Sequence, residues 1–241
     1  MKTLSWNVRA LGKLRAVRRL RNKLREIRPD VVFFMETKLS DVRMARVRRQ
    51  LGFSQGFDVS SNGSGGGLSL AWNREVSVSL RSFSNSHIDA DITVASSPST
   101  WRFTGFYGNP VERLREDSWN LLRSLGENQS LPWLVMGDFN EILLSSEKEG
   151  GQLRSSGNME AFRLALEDCG LMDLGFTGQW YTWEKGRHST NVIRERLDRG
   201  LLIRHGGTFF RIFLSNIFHT PCPITARYYS LIGIRNLLLV V

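Results

Sequence analysis

A carboxylate and a carboxamide stand two residues apart in Met136-Gly137-Asp138-Phe139-Asn140, directly after the apolar run Leu131-Pro132-Trp133-Leu134-Val135. Side chains alternate along a strand, so Asp138 and Asn140 would project to one side if strand geometry continued through them. Gly137 would let something large approach the backbone. An acid and an amide aimed together from a strand end suit a hard metal ion and an anionic oxygen, the chemistry of phosphate esters. Such a site needs further polar groups, and several close other apolar runs. Asn7 ends Ser5-Trp6-Asn7, Glu36 ends Phe33-Phe34-Met35-Glu36, Tyr107 ends Gly105-Phe106-Tyr107, and Asp198 lies in Glu195-Arg196-Leu197-Asp198-Arg199. Singly, each reads as loop solvation. Converging at one edge of a sheet, they would build an active site.

The elements that must position them follow from hydrophobic periodicity. Thr3–Val8, Val31–Met35, Gly67–Trp72, Val76–Phe83, Ile88–Ala95, Trp101–Tyr107 and Trp133–Met136 read as strands, with Gln179–Trp183 and Arg196–Leu202 as further candidates. Helices are expected over Lys13–Arg28, stopped by Pro29, and over Val42–Leu51, Glu112–Leu125 and Asn158–Cys169. Leu14, Val17, Leu20, Leu24 and Ile27 mark the apolar side of the first helix. Several strands neighbour one another in sequence, so an α/β sandwich fits better than a doubly wound parallel sheet. The Gly63–Gly67 stretch has no following Gly-Lys-Ser/Thr and reads as a turn, not a nucleotide loop.

The chain has 241 residues and a net charge of +10. Residues 1–50 carry fifteen Lys/Arg against four acids, while the remainder is nearly neutral. The excess lies on the first two expected helices, with Arg15, Arg18 and Arg19 on one and Arg43 and Arg46 on the other. Two readings stand side by side: attraction to a polyanion such as DNA, or a solvated helix face. No run of about 18 apolar residues is present, so no membrane span is expected. The N-terminus lacks a signal-peptide layout, which points to the nucleus or cytoplasm. Cys169 and Cys222 belong to no metal-binding cluster and read as reduced thiols. A monomer without a small-molecule cofactor is expected.

The motifs occur in a recognisable order: SWN, an apolar strand ending in ET, a Tyr with a nearby Pro, GDFN, and RLD. This order resembles the endonuclease/exonuclease/phosphatase superfamily, a four-layer α/β sandwich of divalent-metal phosphoesterases, from Met1 to about Arg204. Three stretches, Ser64–Trp72, Leu171–Gly178 and Glu195–Arg199, with Tyr181-Thr182-Trp183, resemble the endonuclease domain of plant LINE-type retrotransposon polyproteins. The resemblance implies metal-assisted hydrolysis of a DNA phosphodiester. Glu36 and Asn7 would hold Mg²⁺ or Mn²⁺, and Tyr107 would contact the scissile phosphate. Asp138 would orient or deprotonate the attacking water, Asn140 would hold the phosphate, and Asp198 would orient a catalytic histidine. Trp180, Tyr181 and Trp183 read first as packing residues and second as lining for a substrate groove. A catalytically dead nucleic-acid-binding remnant and a phosphatase of small molecules or phosphoinositides are the alternatives.

The resemblance fails at one place. The family carries Ser-Asp-His on a late strand, and no Asp-His pair occurs in this sequence. No Asp or Glu follows Asp198, and of the four histidines only His219 lies in the corresponding region. Residues 1–204 are therefore read as the domain, residues 205–241 as a divergent apolar tail replacing its end, and catalysis as impaired.

Overall fold

A computed structural model of the chain describes residues 1–63, 65–94, 97–127, 129–176, 178–186, 192–203, 213–215 and 236–240. Its centre is a crossover unit used twice. Strand β1 (Lys2–Asn7) leads through helix α1 (Leu14–Ile27) to β2 (Val31–Met35), which pairs parallel to β1 from Thr3↔Val31 to Asn7↔Met35. A second helix, α2 (Asp41–Leu51), follows, with the Ser40 hydroxyl accepting from the Arg43 N–H at its start. Strands β3 (Gln55–Val59) and β4 (Leu68–Trp72) extend the sheet antiparallel beyond β2.

The second sheet opens with β5 (Val76–Phe83) and β6 (His87–Val94), then repeats the crossover. Strand β7 (Ser97–Tyr107) leads through α3 (Arg115–Gly126) to β8 (Trp133–Asp138), again parallel. After β9 (Lys148–Glu149) and α4 (Ser156–Asp168) come the short strands β10 (Met172–Asp173), β11 (Trp183–Lys185) and β12 (Ile193–Glu195), then β13 (Asp198–Ile203). Strands β14 (Phe213–Ser215) and β15 (Asn236–Val240) return to the first sheet. The sheet orders are β14-β15-β1-β2-β4-β3 and β10-β13-β8-β7-β6-β5, with a small sheet β11-β12-β9 beside the second.

Strand alternation explains the layering. Val31, Phe33 and Met35 of β2 face Phe103, Leu134 and Met136 of the opposite sheet. Val32 and Phe34 point the other way, onto Val17, Leu20, Leu24 and Ile27 of α1. On the far side Trp133 and Val135 pack on Trp119 and Leu122 of α3 and Phe162 and Leu166 of α4. Strands covered on both faces read as continuous apolar runs, as Val31–Met35 does. The result is a mixed α/β sandwich of two large mixed sheets between helical layers, the fold class expected.

The structure departs from the sequence reading in several places. Only Trp183–Lys185 of the later aromatic segment is strand; before it the Thr182 N–H still bonds the Glu195 carbonyl, while its hydroxyl oxygen takes the Leu197 and Asp198 N–H groups. Strand β3 was not expected; it carries a glycine and little apolar periodicity, and its partner β4 imposes it. Leu14 is 60% exposed, since the first turn of α1 overhangs the sheet. Residues Glu112–Leu114 form a 3₁₀ turn ahead of α3. Strand β15 of the apolar tail lies antiparallel to β1, from Lys2↔Val240 to Trp6↔Asn236. Cys169 is a buried free thiol, whose pKa burial raises to about 11. Cys222 lies outside the described residues. No described helix is long and apolar enough to cross a membrane.

Gly137 serves a different neighbour from the one expected. A Cβ there would lie 1.7 Å from the Phe106 carbonyl oxygen, so the close approach is by the adjacent strand β7. Overpacking typically costs about 1–3 kcal/mol, and a fixed backbone atom cannot yield as a side chain can. Gly137→Ala is expected to destabilise the fold by at least the upper end of that range, measured by urea unfolding.

Candidate active site

The carboxyl ends of β1, β2, β7 and β8 meet at one edge of the sandwich, and their polar residues touch. Asn7 Nδ2 donates to Glu36 Oε1 at 2.8 Å and to Asp138 Oδ2 at 3.1 Å, so one amide bridges two carboxylates from different sheets. The Tyr107 hydroxyl donates to the same Glu36 Oε1 at 3.1 Å. Asn7, Tyr107 and Asp138 are buried, whereas Glu36 is half-buried at the mouth.

Asn140 reaches the cluster by a turn, not by continued strand. Strand β8 ends at Asp138. Asn140 has φ +54°, and its N–H donates to Asp138 Oδ1 at 3.0 Å. Its side-chain Nδ2 donates to the Gly108 carbonyl at 2.7 Å. The residue between them is the anchor: Phe139 is fully buried between Phe106 and Phe162, with ring centroids 5.2 and 5.3 Å away. Met35 Sδ accepts the Asp138 N–H at 3.3 Å. Asp198 stands directly opposite Asp138 in the β13–β8 register. The hydroxyl oxygen of Thr182 accepts the Leu197 and Asp198 N–H groups at 2.9 and 3.0 Å.

Backbone strain gathers here. Among the described residues six non-glycines have positive φ: Arg9, Ala10, Glu36, Lys38 and Asn140 in the loops after β1, β2 and β8, and Arg28 at the end of α1. Such conformations cost roughly 1–3 kcal/mol each and persist where surrounding structure enforces them. The glycine stretch supplies part of that enforcement. Gly66 and Gly67, at φ +73° and +84°, present carbonyls to the Lys38 and Thr37 N–H groups at 3.1 Å. The motif set aside as a mere turn therefore clamps the loop that carries Glu36.

Other supporting residues escaped the sequence reading. Arg154 Nη1 donates to the Asn140 carbonyl at 3.2 Å, while its Nε and Nη2 hold Glu195 at 3.0 and 2.7 Å. Arg196 and Arg199, on either side of Asp198, are buried against Glu147 and Asp173. The sequence signal for these was the charge-rich Glu195–Arg199 phrase itself, in which Glu195, Arg196 and Arg199 all enter buried ion pairs. The aromatic segment divides: Trp183 packs on Ile142, Met159 and Leu197, while Trp180 meets Phe176 edge-on at 4.8 Å beneath Arg196.

His87 is buried, its ring nitrogens bonded to the Ser82 and Ser84 hydroxyls at 3.0 and 2.8 Å, and burial lowers its pKa. His188, His205 and His219 lie outside the described residues. Arg15, Arg18, Arg19, Arg43 and Arg46 are not brought to the cluster; they are exposed on α1 and α2.

The donor set fits a hard divalent cation. Both protein donors to Glu36 use Oε1, and no described residue donates to Oε2, which leaves a carboxylate oxygen for a ligand. Asn7 directs its NH₂ at the acids while its Oδ1 accepts the Arg9 N–H, so its amide would have to turn over to ligate. No group of three His, Cys, Asp or Glu side chains suited to a metal ion occurs among the described residues. A Mg²⁺-like ion, which keeps most of its waters and uses one or two carboxylates, needs none.

Such a fold and such an edge define the phosphoesterase class of α/β sandwich. The chain belongs to the endonuclease/exonuclease/phosphatase family, whose sequence profile matches residues 4–199. Solved structures share the fold. A 3′ phosphatase from Neisseria, bound to a product DNA hairpin, is 18% identical with a TM-score of 0.68, covering 100% of this chain and 98% of that one. The endonuclease domain of TRAS1, a telomere-specific non-LTR retrotransposon, is 11% identical with a TM-score of 0.64, covering 99% and 96%. An AP endonuclease from Archaeoglobus fulgidus is 16% identical with a TM-score of 0.66, covering 100% and 98%. No curated protein sequence matches the chain.

The ionic network beneath Asp198 makes a pH-dependent prediction. Burial pushes the Glu147 carboxyl up, but Arg199, the Leu143 N–H and Arg196 outweigh it and hold the pKa below its ordinary 4.5. Asp173 is likewise held below 3.8, burial being outweighed by Arg199 and Arg196. Depressed acids stabilise the fold fully above their ordinary values, and that contribution is lost as pH falls through the folded ones. Glu147→Gln leaves the buried Arg196 and Arg199 to share Asp173 as their remaining carboxylate, and is expected to cost up to about 3–5 kcal/mol at neutral pH. The loss of stability below pH 4.5 should be shallower in this variant. Urea unfolding at a series of pH values reads both effects.

Proposed function

We propose that this chain is a divalent-metal-dependent phosphodiesterase acting on DNA, derived from a retrotransposon endonuclease of the LINE type and impaired in turnover. The observation that carries the reading is the Asn7 amide joining Glu36 and Asp138 across the two sheets, with Tyr107 on the same carboxylate. That arrangement gathers oxygen donors, an acidic base and a hydroxyl donor within one small volume. Support for the origin comes from the Ser64–Trp72, Leu171–Gly178 and Glu195–Arg199 phrases. The Neisseria neighbour's DNA hairpin supports nucleic acid as the substrate class.

Glu36, with Asn7 once its amide turns over, would hold Mg²⁺ or Mn²⁺. The bound ion would neutralise charge on a phosphate oxygen. Asp138, buried and fixed by the Asn140 N–H, orients a water for attack on phosphorus and accepts its proton. The Tyr107 hydroxyl exchanges Glu36 for a phosphate oxygen. The Asn140 NH₂, now on the Gly108 carbonyl, is placed to follow the same oxygens through the reaction. Asp198 would orient a histidine acting on the leaving oxygen. Within these 241 residues the Asp-His pair of that step is missing, and loss of a general acid typically costs about 10²–10⁴-fold in rate.

Supercoiled plasmid tests the reading. Slow nicking is expected with Mg²⁺ or Mn²⁺, none with chelator, and none in Glu36→Gln. Nicking as fast in Glu36→Gln would overturn the site. No nicking at any protein concentration would overturn hydrolysis of DNA, and phosphate release from small phosphomonoesters in that case would point to the phosphatase alternative.

A further inference from the structure

We propose that the outward face of α1 and α2 is a docking surface for the phosphate backbone of double-stranded DNA, separate from the cleft at the strand ends. It needs no hydrolysis, so it stands or falls apart from the catalytic reading. Arg15, Arg18, Arg19 and Arg25 lie on one exposed side of α1, at spacings of three, four and seven residues that share a helix face. Arg43 and Arg46 stand exposed one turn apart on α2, which packs beside α1. None of these six makes an ion pair among the described residues.

Several arginines elsewhere are paired inside the fold. Arg48, on α2 itself, is buried against Asp58; Arg102 holds Asp89 and Arg115 holds Glu141. The two acids on the helices are already engaged, Glu26 by Lys23 at 2.8 Å and Asp41 by the Ser60 hydroxyl at 3.0 Å. Like charges three and four residues apart destabilise a helix by a few tenths of a kcal/mol per pair. The surface therefore holds positive charge well in excess of its two acids, the complement of a polyanion.

Its chemistry selects a duplex. Helices α1 and α2 contain no aromatic residue, so unpaired bases find no stacking platform. The apolar side of α1 is committed to the first sheet through Val17, Leu20, Leu24 and Ile27, so the helix cannot lay it into a bilayer. Arg15 and Arg25 are about 15 Å apart along the axis, a span of four to five phosphates on one strand. Helix α1 starts seven residues after Asn7 and runs back to Pro29, where the Asp30 N–H meets the Lys2 carbonyl at the opposite end of β1. The row thus leads from the rim of the cleft down the flank.

The test measures binding of the full chain to a duplex of about 30 base pairs, in chelator, between about 50 and 200 mM salt. Three proteins are compared: the unmodified chain, the quadruple variant Arg15→Gln, Arg18→Gln, Arg43→Gln, Arg46→Gln, and a control, Arg74→Gln with Arg123→Gln, that removes arginines from other faces. Exposed substitutions of this kind usually change stability by under about 0.5 kcal/mol, which circular dichroism checks. The unmodified chain and the control should bind alike to within a few fold. The quadruple variant should bind about tenfold or more weakly, with a log K against log salt slope shallower by about three to four. Equal affinity and slope in the quadruple variant would overturn the proposal. So would an equal loss of affinity and slope in the control, which would make the attraction a property of net charge and not of this face. Tighter binding to oligo-dT, single-stranded RNA or phosphatidylserine vesicles than to the duplex would overturn its occupant.

Discussion

One amide holds the working edge together. Asn7 closes the central strand of the first sheet, Asp138 the central strand of the second, and Glu36 the strand beside Asn7. Two carboxylates brought this close repel, and the Asn7 NH₂ gives each a hydrogen bond while adding no charge. Everything else at the site is arranged around that bridge. Tyr107 adds a second donor to Glu36, the Asn140 N–H fixes the other Asp138 oxygen, and Asp198 sits opposite across the β13–β8 ladder. The two crossover units explain how the bridge can form at all. Each places a parallel pair of strands at the centre of its sheet, so four strand ends open on the same edge.

The loops carry the cost of that geometry. Positive φ at Arg9, Ala10, Glu36, Lys38 and Asn140 is unfavourable for residues with a Cβ, and three devices enforce it around Glu36 and Asn140. Gly66 and Gly67 bond the Glu36 loop through their carbonyls. Phe139 is locked in an aromatic stack below Asn140. Arg154 ties the Asn140 carbonyl to Glu195. The catalytic candidates are thus presented on short, over-determined turns. A preorganised site of this kind does not reorganise when charge develops on a substrate.

Charge is divided along the same architectural line. The second half of the sandwich buries four arginines against acids: Arg196 and Arg199 on Glu147 and Asp173, Arg115 on Glu141, Arg102 on Asp89. These pairs hold loops and strands in place, and their desolvation makes them costly to break singly. The helical layer over the first sheet keeps exposed arginines without such partners. A shared excess of positive charge therefore has two physical roles in one chain, internal scaffold on one side and solvent-facing field on the other.

The sequence by itself determined the fold class, most of the elements and which polar residues close the central strands. Apolar runs such as Val31–Met35 and Trp133–Met136 state their burial directly, and the SWN, ET, GDFN and RLD motifs name the residues at their ends. Period-two and period-3.6 patterns are local, so they can be read locally. Tertiary structure alone decided which groups meet and what supports them. Asn7 and Asp138 are 131 residues apart, and nothing near either predicts that one bonds the other. Gly137 and the Gly66–Gly67 pair looked like room for a ligand and a simple turn, yet their partners are backbone groups from distant segments. Strand β3 exists because β4 offers it a ladder. Exposed and buried arginines are identical letters until packing supplies, or withholds, an acid.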